Sequence, residues 1–172
     1  MLRLAVLRLA LVLVAALGLA APVQAQWAAY PGGVRDTPSE TKAAETARAA
    51  GKATGLPPMV LTTADSFEAV LAFYMSRGKE MRLPPLPGQA PAGYERELPG
   101  GVRRGTNGME VLPSGIKVKQ VIFMLDGAAT ISASKDWISI TRPFVGEMVH
   151  EGDLFKYKDV RDVTAILRTR TQ

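Results

Sequence analysis

Between Ile116 and Leu125 the chain alternates in a way that only a sheet satisfies. Ile116, Val118, Gln120, Ile122 and Met124 fall on one side, and Lys117, Lys119, Val121, Phe123 and Leu125 on the other. A period of two puts successive side chains on opposite faces of a strand. One face here is apolar nearly throughout, while the other turns from charged to apolar, as a strand does when it passes from edge to interior. Asp126-Gly127 then predicts a two-residue hairpin turn, with Ala128–Ala133 as the return strand. Ser134-Lys135-Asp136 reads as a second turn. Ile138 and Ile140 alternate with Trp137, Ser139 and Thr141 until Pro143 ends the ladder. After a polar loop, residues 162–170 form the last strand, with Val163, Ala165 and Leu167 sharing a face.

Against these strands stands one clear helix. Phe67, Val70, Leu71 and Tyr74 recur at the spacing of a single helical face. Asp65 as N-cap with Glu68 three residues later matches the reciprocal capping pattern, and Gly78 can take a left-handed C-terminal cap. The pattern predicts a helix over Ser66–Arg77, preceded by a short strand at Met59–Thr63. The fold class expected is α+β: a mostly antiparallel sheet of four or five strands with one main amphipathic helix packed on one face. The helical stripe is expected to meet Ile138, Ile140, Val163 and Leu167.

The front of the chain is of another kind. Twenty of the first 25 residues are apolar, with Arg3 and Arg8 leading, an apolar core from Leu9 to Leu19 that holds one Gly, Pro22, and small residues at Val23 and Ala25. That is the three-part pattern of a secretory signal, cleaved between Ala25 and Gln26. The stretch from Leu9 to Val23 is shorter than the ~20 residues a spanning helix needs. Removing it leaves 147 of the 172 residues, 19 basic and 16 acidic, with a net charge of +3. So small and mixed a charge does not call for nucleic acid as a partner. The expected location is periplasmic or secreted, with no membrane span after signal removal. Export without any Cys means folding by burial alone.

Residues 26–57 read as an Ala-rich linker or frayed helix, because Ala is the only apolar side chain from Ser39 to Gly55. Residues 58–172 then form a single domain. Within it, residues 84–108 hold five Pro and six Gly, a density read as a surface loop, either a spacer or a mobile flap over a site.

Residues Thr62–Tyr74 resemble a motif of small exported bacterial proteins of unknown function. These are similar in carrying an early Tyr-Pro-Gly, here Tyr30-Pro31-Gly32, then a threonine-led helix ending in Phe-Tyr, then strands. The resemblance implies an exported domain and no activity.

The composition excludes much chemistry. With no Cys and one His, thiol nucleophiles, Cys-ligated zinc and multi-His zinc sites are ruled out. His150 is followed by Glu151 but by no second His, and there is no Gly-x-Ser-x-Gly elbow. Glu151, Asp153, Asp159 and Asp162 cluster in sequence without the spacing of a calcium loop. Gly100–Gly105 lacks the ending of a phosphate loop, and Arg103 and Arg104 read as exposed. Tyr74, Trp137 and Arg142 would make a binding patch if exposed together. No catalytic residue, metal ligand or cofactor is assigned. The expected function is an exported non-catalytic domain that binds a protein or envelope component. The alternative is a small hydrolase using carboxylates or His150 beneath the 84–108 loop.

Overall fold

The computed structural model describes residues 27–49, 56–84, 93–106 and 108–171. The signal segment and its cleavage site at Ala25 and Gln26 lie outside the described residues, as do residues 85–92. Among the described residues two helices, α1 (Thr37–Ala49) and α2 (Phe67–Met75), accompany nine strands. These are β1 (Val34–Arg35), β2 (Met59–Thr63), β3 (Lys79–Met81), β4 (Glu95–Gly105), β5 (Gly108–Met124), β6 (Asp136–Arg142), β7 (Phe144–Glu151), β8 (Leu154–Arg161) and β9 (Thr164–Arg170). All pair antiparallel in one sheet of order β1-β2-β9-β6-β5-β4-β8-β7, with β3 on β5.

This corrects the expected four or five strands with one main helix: the molecule is chiefly sheet, with two short helices. Three local readings account for most of the difference, and the short strands β1 and β3 for the rest. First, residues 95–105 are a strand, not part of a loop. The register of β4 on β5 shifts between Glu97 and Pro99 and again between Pro99 and Gly101, so Pro and Gly fall at bulges, where a missing N–H or side chain does least harm. Second, residues 144–161 are a hairpin, not a polar loop, turned at Gly152 with a left-handed φ of 61°. Phe155 and Tyr157 face inward while Lys156 and Lys158 face water, a strand of which one face alone is covered. Third, Asp126-Gly127 does not turn directly into a strand. The Asp126 carboxylate accepts from Ser134 Oγ (2.8 Å) and Lys135 N (2.6 Å), organising a loop whose chain returns only at Asp136.

The expected strands at β2, β6 and β9 and the C-terminal part of β5 are present. The even residues of β5 lie on one sheet face, and the odd ones from Val121 meet α2. Ser66, not Asp65, caps α2 and accepts from Ala69 N at 3.2 Å. Glu68 pairs with Lys119 across the sheet. The core beneath α2 is Leu61, Phe67, Val70, Leu71, Tyr74, Val121, Phe123, Leu125, Ile138, Ile140 and Ile166. Ile166, opposite Ile140, meets the helix; Leu167, opposite Ser139, points to the other face. This corrects the expected contact of Leu167 with the helical stripe.

The segments that carried the resemblance touch each other. Tyr30 donates to Asp65 Oδ2 at 2.7 Å and meets Phe73 edge-on at 5.3 Å. Trp27 stacks on Tyr74 at 5.9 Å, and Ala28 O accepts the Tyr74 hydroxyl at 3.1 Å. Tyr-Pro-Gly therefore fastens the N-terminal strap over α2, which is a structural task.

Candidate functional site: the cavity on the second face of the sheet

The face turned away from α2 is not filled. β1 and β8 lie far apart in the hydrogen-bonding order, yet Asp36, next after β1, accepts from Arg161 at the end of β8 at 2.6 Å. Lys42 of α1 pairs with Glu147 of β7, and Phe144 N donates to Val163 O at 3.1 Å. A sheet whose opposite ends meet has rolled up, as strand twist and bulges favour. It encloses a cavity of about 1250 Å³.

The lining explains why space remains. Val60, Val118, Ala165 and Leu167 floor the cavity together with Gln120, Ser139 and Thr141. On the opposite face the same strands carry Ile138, Ile140, Val121 and Ile166, all fully buried. On β6 and β9 Ser139, Thr141 and Ala165 alternate with Ile138, Ile140 and Ile166, so the face under α2 is filled while the other borders the cavity. Trp137, Phe144, Met148 and Tyr157 form the upper walls, and Ala43 and Ala47 of α1 the side. The Ala-only face of α1 thus lines a cavity wall. Pro58 and the α1 side are anchored through Glu40, which accepts from Val60 N at 3.1 Å and Arg35 Nε at 2.9 Å.

Most polar groups of the lining answer one another. Gln120 Nε2 donates to Ser139 Oγ at 3.3 Å, and the Tyr157 hydroxyl donates to Pro99 O at 2.5 Å. Hydrogen bonding to Lys42 holds the Glu147 carboxyl below its ordinary range. Burial raises the Tyr157 phenol, and the positive charge of Arg96 works against that rise.

The closing contact Asp36–Arg161 makes stability depend on pH. Burial alone would raise the Asp36 carboxyl, but hydrogen bonds from Arg161 and Ser39 outweigh it and the net shift is downward. A depressed carboxyl stabilises the fold above its unfolded value of about 3.9, and that contribution disappears as pH falls through the lower folded value. Asp36→Asn should therefore lower stability by about 1 kcal/mol at pH 7, a figure kept small because Arg161 is partly exposed. The deficit should vanish at pH 2. Urea midpoints at the two pH values check this; an equal deficit at both would show that the carboxylate charge is irrelevant.

The residues singled out from the sequence do not assemble. His150 is exposed on β7 and packs against Phe155 at 4.7 Å, outside the cavity lining. Glu151 pairs with Lys156 (2.6 Å), Asp159 with Arg161 (3.1 Å), which also holds Asp36, and Asp162 with Arg142 (3.0 Å), while Asp153 is exposed in the turn between β7 and β8. Among the described residues no group of three or more His, Cys, Asp or Glu could hold a metal ion. Arg103 is held by Glu110 at 2.7 Å. Tyr74 lies buried under α2, Trp137 in the cavity, and Arg142 on the backbone carbonyls of Ala64 and Asp65, so these three form no patch. Glu147 is the one acidic residue in the cavity lining.

The cavity itself went unread in the sequence, although a signal was present. Ser139 and Thr141 on one side of β6, against two isoleucines on the other, mark a face that small polar side chains leave open. No helix among the described residues is long and apolar enough to cross a membrane. No protein-family model, curated protein or solved structure matches this chain.

Proposed function

We propose that this chain is an exported, non-catalytic domain that binds an envelope component, an amphipathic small molecule with an acyl-like apolar portion, in the cavity of its rolled sheet. The observation that carries the reading is the contrast between the two faces of β5, β6 and β9. One is filled by fully buried side chains beneath α2. The other holds a cavity above the usual ~300–1,000 Å³ of ligand sites, lined by apolar and polar side chains together. The hydrolase alternative draws no support, since His150 stands outside the lining and Glu147 is engaged by Lys42.

The two tryptophans supply the test, because Trp137 lines the cavity and Trp27 packs on the α2 side. A terminally brominated fatty alcohol should quench Trp137 emission saturably in the Trp27→Phe variant. Trp137→Phe, which retains Trp27, should respond little. Saturable quenching confined to Trp27, or none from either residue, would refute binding in the cavity.

A further inference from the structure

Arg96 is a half-buried cation that stands beside this cavity, just outside its lining, with no ion pair among the described residues. It stands on β4 opposite Val118, one of the cavity's floor residues, and two residues before Leu98, which also lines it. Directly paired residues of an antiparallel ladder share a face. The pairing with Val118 puts Arg96 on the cavity side of the sheet. Its charge reaches the Tyr157 hydroxyl group on the neighbouring wall. The Arg96 Nε is buried and has no hydrogen-bond partner among the described residues.

The acids beside it in sequence serve the other face. Glu95 pairs with Lys117 at 3.6 Å, and Glu97 accepts from Gly115 N at 2.6 Å. The charged residues of the lining itself, Lys42 and Glu147, neutralise each other. A guanidinium cannot lose its charge in a protein, and its fork of donors fits two oxygens of one oxyanion. Burying such a donor without a partner costs free energy that an incoming acceptor would recover.

Resting on the reading of the cavity as an acyl-binding site, we propose that Arg96 is its anion-recognition residue. The ligand is then an apolar chain ending in a single oxyanion head group, a carboxylate or a phosphate. The head sits at Arg96 near Tyr157, and the apolar chain runs over Val118, Ala165 and Leu167.

The test compares dodecanoate, dodecyl phosphate and dodecanol on the full mature chain by calorimetry. The wild type should bind at least one of the two anions tenfold or more tighter than the alcohol. Arg96→Gln should abolish that preference while holding dodecanol with unchanged affinity, which also shows that the variant has folded. Arg96→Lys should recover part of the preference. Which anion is preferred distinguishes a free fatty acid from a phosphate-headed lipid. If wild type and Arg96→Gln bind anion and alcohol alike, Arg96 recognises no head group although the cavity reading stands. If none of the three binds, the cavity reading itself fails and this inference with it.

Discussion

Truncating Phe123 to Ala should cost about 3–5 kcal/mol, the range for deleting a buried aromatic side chain from a packed core. Phe123 is fully buried, its ring 6.4 Å from that of Tyr74, and its Cβ lies close against Gly78. Collapse into the void is therefore obstructed from the α2 side. Leu167→Ala, on the other face of the same sheet, should cost only about half as much, because its side chain borders open space and leaves no closed void. Urea denaturation of both variants measures the difference. Equal losses would mean that the cavity face is packed as tightly as the core, and the binding proposal would lose its basis.

The second large effect is expected at the bulge of β4. A Cβ on Gly100 would be driven into the Pro113 carbonyl and would stand 2.8 Å from Ser114 Cα. These are backbone atoms of the paired strand and cannot rotate aside. Overpacking of this kind costs about 3 kcal/mol at the upper end of its usual range. The damage should spread along the chain, since Val102 N donates to Asp153 O at 2.8 Å and Gly101 is the register partner of Leu154. Those contacts join the β7–β8 hairpin to β4. Hydrogen exchange of Gly100→Ala should show protection lost over residues 101–112 and in the hairpin, with α2 and β6 less affected. Wild-type protection throughout would mean that β4 can shift on β5 without strain.

The sequence disclosed those elements whose burial has one simple period. Phe67, Val70, Leu71 and Tyr74 announced α2, and Ile138 with Ile140 announced β6, because each set faces a filled core. β4 was hidden because Pro99, Gly100 and Gly101 look like loop residues until a neighbouring strand is seen pressing against them. β8 was hidden by its lysines, although Phe155 and Tyr157 between them keep a strict period of two. The acids of residues 151–162 looked like a cluster in sequence. Strand alternation and the hairpin turn scatter them, and Glu151, Asp159 and Asp162 each pair with a different cation. The cavity depends on the two ends of the sheet meeting through Asp36 and Arg161, positions 125 residues apart, and no local pattern carries that distance. Its floor was legible only as Ser139, Thr141 and Ala165 alternating with isoleucines.

The assignment of alternate residues to opposite tasks restricts how such a protein can diverge. In β5, β6 and β9 every odd-even exchange swaps a core residue for a lining residue. Inserting or deleting one residue within Val118–Met124 or Trp137–Thr141 would turn Phe123, Ile138 or Ile140 into the cavity and bring Gln120 or Ser139 under α2. Both tasks would fail at once, whichever residue was added. Single substitutions on the lining face escape this penalty and can retune what the cavity accepts while the core stays intact. Changes of length are then confined to the connections, such as residues 127–135 and the turn at Gly152, and ligand preference is free to drift within strands of fixed length.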